Sequence, residues 1–165
     1  MRRSVAIGLA GVLAMLLQTA VFPVLIPAGV APNLLLVLVV YLGVHQLGAR
    51  GAIGAFVLGY FLDTFSGTLL GLHAFAFTAV YLGVHHVARV LWTESGLPAV
   101  LVVFVAGCAY AFLVLAVTSL AAAADRVVWT HGLRRGMLEA AVAAAVTPAV
   151  FAFLSWEQRL LRVSG

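Results

Sequence analysis

Charge is what this sequence lacks: 14 of its 165 residues are charged, nine basic and five acidic, and all nine basic residues are arginine. A soluble domain carries roughly a quarter of its residues as charges to keep its surface wet. Here the fraction is 8% and the mean hydropathy is +1.19. The sequence is that of a membrane protein. A helix that crosses the hydrocarbon needs about 20 residues, so a chain of this length holds at most six or seven spans and no separate soluble domain. The calculated pI is near 10, but the arginines stand singly or in pairs at the ends of apolar segments. That is how cytoplasmic anchors are distributed, and it implies no nucleic-acid partner.

The punctuation divides the chain into six predicted helices, all-α, in a single integral membrane domain over residues 1–165. The first apolar run, 4–22, follows Arg2-Arg3; Pro23 and Pro27 come after it instead of a small-x-small cleavage site, so it reads as an uncleaved helix. Residues 23–32 hold three prolines and no charge, which predicts a loop or a shallow re-entrant segment. Asn33 is a good N-cap for a second helix over 33–47. Gly48-Ala49-Arg50 predicts a tight turn, followed by helices over 51–65 and 70–90 separated at Ser66-Gly67. Glu94-Ser95-Gly96 marks a loop before a fifth helix over 98–120, with Pro98 in its first turn. Residues 121–135 collect Asp125, Arg126, Trp129, His131, Arg134 and Arg135, which predicts a loop, with an interfacial helix anchored by Trp129 as one way to hold it. The sixth helix is expected over 136–155. Six spans put both termini on one side. With the termini inside, six arginines (Arg2, Arg3, Arg50, Arg89, Arg159, Arg162) are cytoplasmic and three (Arg126, Arg134, Arg135) are outside, which favours cytoplasmic termini.

Asp63 is the acid placed well inside an otherwise uncharged helical run. Counting back by fours gives Gly59, Ala55 and Gly51, a face of small residues along which a neighbouring backbone can approach closely. Two readings of Asp63 stand side by side: a proton, ion or partner site in a cleft between helices, or a residue near the outer interface that caps the Ser66-Gly67 turn or meets His73 across the hairpin. The five histidines show no metal-ligand spacing and Cys108 is alone, so no metal site and no cofactor is predicted. Tyr41-Leu42-Gly43-Val44-His45 recurs as Tyr81-Leu82-Gly83-Val84-His85, a vestige of duplication or a coincidence of residues favoured at a membrane interface. Arg135 and Glu139, four apart, suit a local ion pair, and Gln18 suits an inter-helix hydrogen bond. There is no Gly-rich phosphate loop after a strand, no nucleophile with a base at a known spacing and no paired carboxylates on one helix face, so no enzyme is predicted.

The stretch from Pro32 to Ala74 carries a resemblance. Pro32-Asn33-Leu34-Leu35-Leu36, Gly51-x-x-Gly54, Gly59-x-x-x-Asp63, Ser66-Gly67 and Leu70-Gly71-Leu72-His73-Ala74 together resemble the rod-shape-determining MreD family, in which an Asp often stands where Asn33 stands here. The resemblance implies a non-enzymatic subunit of the bacterial elongation machinery in the inner membrane. It implies MreC as partner, with RodA, a class B penicillin-binding protein and MreB as further complex members. It also implies a fold similar to the six-helix substrate-binding components of energy-coupling-factor vitamin transporters, which makes a small-molecule uptake subunit the alternative. Gly51, Gly54, Ala55, Gly59, Asp63, Gly71, His73, Pro32 and Asn33 are the expected helix-packing or partner-binding residues.

Overall fold

The computed structural model describes Gly11 and residues 33–46, 48–67, 69–90, 96–122 and 126–163. Five helices are described: α1 Leu34–His45, α2 Ala49–Ser66, α3 Leu72–Val90, α4 Gly96–Ala122 and α5 Arg126–Val163. The predicted first span, the proline-rich segment with Pro32, and Gln18 lie outside the described residues. Gly11 alone is described there: it is helical and buried, and a Cβ built on it would come within 2.6 Å of Leu58.

α1 is the pole of the bundle. Every residue from Leu34 to Gly43 is buried, so the helix is apolar all round and packs against α2, α3, α4 and α5. Its sequence is rich in Val, which alone would suit a strand, but an isolated strand in an apolar medium leaves its backbone unpaired whereas a helix pairs its own. Asn33 starts it as predicted, its Oδ1 accepting the Leu36 N–H at 3.0 Å. Twelve residues make about 18 Å, too short to cross about 30 Å of hydrocarbon.

Two antiparallel hairpins, α2/α3 and α4/α5, flank this pole. The first is closed by the small-residue face. Gly51, Ala55, Gly59 and Asp63 are buried, joined by Leu58. The neighbour they admit is α3 of the same chain: a Cβ on Gly59 would lie 2.5 Å from Ala74 Cα, and one on Gly51 would lie 2.6 Å from the Tyr81 ring. Gly54, one residue off this face, looks instead toward Leu42 of α1. The stripe is therefore filled within the molecule and is not an open face for another chain.

Tyr81 also ties the other end of the hairpin. Its hydroxyl stands 2.9 Å from the carbonyls of both Gln46 and Gly48, bridging the connection between α1 and α2. The turn predicted at Gly48-Ala49-Arg50 narrows to Gly48, with φ of 84°, because the helix already begins at Ala49. Tyr81→Phe keeps the ring and removes the bond to the turn. It should cost about 1–2 kcal/mol, read as a lowered unfolding temperature of the purified protein, with no change if the bridge contributes nothing. The repeated pentapeptides meet at this level. A Cβ on Gly43 would lie 2.8 Å from Val84 Cγ1, and each Tyr stacks on its own His one turn later, at 4.2 Å for Tyr41–His45 and 5.7 Å for Tyr81–His85.

The second hairpin departs from the sequence reading. Residues 121–135, expected as a loop with a sixth helix from 136, are mostly helical: α5 begins at Arg126 and runs unbroken for 38 residues, about 57 Å. Of the polar residues in this stretch, His131, Arg134 and Arg135 are exposed on the outside of α5. What holds this turn of helix is a second small-residue ridge. Cβ atoms on Gly132 and Gly136 would collide with Leu115 and Ala111 of α4, and one on Gly107 would lie 2.6 Å from Ala140.

Two segments, Ala99–Ala121 of α4 and Trp129–Ala152 of α5, are long and apolar enough to cross a membrane. Only 17% and 22% of these windows is buried, so they are not core helices of a soluble domain. Leu101, Val105 and Leu120 are among the large apolar side chains left outside. Exposure of this kind is unfavourable in water and expected against lipid.

Candidate functional site

Asp63 is 1% exposed, and what neutralises its burial is backbone. Oδ1 accepts the His73 N–H at 2.9 Å, and Oδ2 accepts those of Gly71 and Ala74, both at 3.0 Å. His73 and Ala74 are the second and third residues of α3, whose amides lack partners within the helix. Such amides are ordinarily met by a side chain at the N-cap. Here that position is Gly71, with φ of 93°, a conformation that favours glycine. Glycine brings no side chain, so α2 supplies the cap from eight residues back, with a charge that suits the positive end of the α3 dipole. Gly67, at φ 64°, ends α2 in the left-handed conformation and turns the chain toward it. Of the two readings of Asp63, the geometry matches the cap. It meets the backbone of His73, not its ring, and caps α3, not the Ser66-Gly67 turn.

The cap aims His73. With its amide held by Asp63, the imidazole turns the other way, and Nδ1 lies 2.8 Å from the Tyr110 hydroxyl of α4. The start of α3 is thereby joined to the middle of α4. Asn33, at the start of α1, lines the same cleft as that hydroxyl. Phe77 closes the back of the Tyr110 ring at a centroid distance of 5.2 Å.

This phenol stands in a cleft of about 250 Å3 between the starts of α1 and α3 and the facing sides of α4 and α5. Arg135 and Glu139 of α5 stand at it, paired through Arg135 Nε and Glu139 Oε1 at 3.0 Å, with the arginine 68% and the glutamate 32% exposed. Leu36, Val114 and Leu115 make its apolar wall. Asp63 does not line it. Among the described residues no group of three or more His, Cys, Asp or Glu could hold a metal ion.

Of the residues the sequence singled out, the structure brings Asp63, Gly71 and His73 into one unit, with Gly59 behind it, and sets Asn33 beside Tyr110 at the cleft. Gly51, Gly54 and Ala55 serve helix packing away from the cleft, and Pro32 lies outside the described residues. Arg135 and Glu139 pair as their four-residue spacing suggests, and the fold sets the pair at a cleft, which the spacing does not show. The spacing Gly132-x-x-x-Gly136-x-x-x-Ala140 was the available signal that this stretch is a packed helix.

A second concavity, of about 310 Å3, runs between α3 and α4 and is apolar, with Val80, Val84, Leu101 and Val105 along it. Small residues line it as well: Ala79, Gly83, Ala106 and Ala109. A Cβ on Gly83 would meet nothing within 4 Å.

A family model described as rod shape-determining protein MreD matches residues 3–156 of the chain. No curated protein and no solved structure gives a significant match.

Proposed function

The chain belongs to the rod shape-determining protein MreD family, and from this premise we propose that it is a non-enzymatic scaffold of the bacterial cell-elongation complex. It sits in the inner membrane as a multi-pass protein with both termini in the cytoplasm. Its principal partner is MreC, with RodA, a class B penicillin-binding protein and the MreB filament as further members, so that filaments and peptidoglycan synthesis are coupled to cell shape.

The observation that carries this reading is how the small-residue faces are used. Apolar helices gain nothing from the hydrophobic effect when they associate in lipid; they associate where small residues let backbones approach. The Gly51/Ala55/Gly59 and Gly132/Gly136/Ala140 faces are filled by the chain's own helices, whereas the Gly83 face, between α3 and α4, is open. The groove is lined by α4 within its apolar window, so its occupant is an apolar helix in the same bilayer. The transmembrane helix of MreC is that occupant.

Gly83→Leu places a branched side chain in the groove at a position where its Cβ meets nothing within 4 Å. Co-purification of tagged MreC is expected to fall by at least about tenfold, equivalent to about 1.4 kcal/mol, while yield and unfolding temperature stay as in the unsubstituted protein. Full capture of MreC by the folded variant contradicts the assignment.

A second reading, a substrate-binding component for uptake of a vitamin or another small molecule, is favoured by the cleft, where Asn33, His73 and Tyr110 converge. A vitamin that co-purifies in stoichiometric amount, seen by mass spectrometry, would support it, and its absence would count against it.

A further inference from the structure

His73 has one ring nitrogen that the fold does not use. Of the five histidines it is the one that is buried, at 9% exposure. Asp63 holds its amide and the Tyr110 hydroxyl meets its Nδ1, while Nε2 has no hydrogen-bond partner among the described residues. A buried polar atom without a partner is costly and rare. The imidazole lines the cleft beside Tyr110, so the cleft is where a partner for Nε2 is received.

Three features restrict that partner. Tyr110 is the middle residue of the Ala99–Ala121 segment, which sets the site at about half the depth of a bilayer, where a charged group is disfavoured. The bond between Tyr110 and His73 runs with either the phenol or the imidazole as donor, which leaves Nε2 as donor in the first case and acceptor in the second. A hydroxyl group both donates and accepts, so it satisfies the nitrogen in either tautomer, whereas a carbonyl serves one alone. An ordered water takes roughly two to four polar partners, and Leu36, Ala111, Val114 and Leu115 offer side chains that suit carbon instead. The cleft, at about 250 Å3, lies below the roughly 300–1,000 Å3 of pockets that enclose a whole small ligand, so it takes one end of a larger molecule.

We propose that this cleft binds the free hydroxyl of an uncharged lipid of the diacylglycerol class, with His73 Nε2 as its hydrogen-bond partner. The carbons next to the hydroxyl lie against Leu36, Val114 and Leu115. Such a lipid carries neither phosphate nor ammonium, so it brings a hydroxyl to the middle of the membrane without the cost that a phospholipid headgroup meets there.

The test is native mass spectrometry of the delipidated full-length protein in detergent, with dioctanoylglycerol, the same molecule with its hydroxyl acetylated, and glycerol as probes. Dioctanoylglycerol is expected to occupy the protein about tenfold more than its acetate. His73→Phe keeps a ring of similar size and removes the nitrogen, and should abolish that preference. Glycerol should not displace the lipid. Equal occupancy by the lipid and its acetate, a preference that survives in His73→Phe, or displacement by glycerol overturns the proposal. Because the variant must fold to be read, ring-nitrogen NMR of the unsubstituted, histidine-labelled protein gives an independent measure. One Nε2 signal, from a histidine shielded from a soluble paramagnetic agent, should move with dioctanoylglycerol and stay in place with the acetate. No movement, or movement only of a signal that the agent broadens, counts against it. None of these measurements involves MreC, so failure here and failure of the scaffold reading are separable.

Discussion

Asp63→Ala is expected to cost about 4–5 kcal/mol and to leave little folded protein. The carboxylate accepts three backbone N–H groups, and all three sit at a buried helix start. Hydrogen bonds to a charged acceptor contribute roughly 1.5–3 kcal/mol each, and an orphaned donor carries its full desolvation cost. In an apolar surrounding no water replaces the lost acceptor. Against a total stability of roughly 5–15 kcal/mol this is a large share. Asp63→Asn retains one acceptor oxygen and turns an NH2 toward an amide donor, so it should lose about half as much. Thermal unfolding followed by size-exclusion chromatography in detergent ranks the three proteins. An alanine variant as stable as the parent would mean that the cap does not hold the hairpin.

Gly59→Ala is the second large effect, expected at about 3 kcal/mol, and it acts on the same joint from the other side. A Cβ at this position would lie 2.5 Å from both Ala74 Cα and the His73 carbonyl oxygen. Both are backbone atoms, so no rotamer relieves the collision, and α2 and α3 must part. Overpacking a close-packed interior usually costs 1–3 kcal/mol, with more where the backbone has to move, and leucine should be worse than alanine. Parting the helices also lengthens the Asp63 bonds, so the double variant Gly59→Ala/Asp63→Asn should lose less than the sum of the two. Gly83→Ala is the control: it adds the same methyl to a helical glycine where the space is open, and should leave the unfolding temperature within error.

Much of this joint was legible in the sequence. The four-residue spacing from Gly51 to Asp63 places small residues on one helix face whatever they pack against, and that face is buried. The cap at Asn33 was legible for a similar reason, since its partner is three residues away. What spacing along one helix cannot give is the identity of the neighbour. The stripe therefore read equally well as a surface for another protein until α3 was seen to fill it. The same limit hid the cleft, because His73 and Tyr110 are 37 residues apart and meet only through the fold. The misplaced start of the last helix has a different cause. The arginines and Trp129 at 126–135 look like the polar end of a span. A helix packed through Gly132 and Gly136 needs no large apolar residues on its buried face, so its hydropathy pattern there is weak while its packing is close.

The proposed function places the partner helix in the open groove between α3 and α4, and not on the filled stripe of α2. Photo-crosslinking in cells tests it most directly, with a benzophenone amino acid at Val105, an exposed residue of the groove, and at Phe56, an exposed residue of α2 that does not line it. An MreC adduct is expected from position 105 and none from position 56. An adduct from position 56 with none from position 105 would contradict that placement.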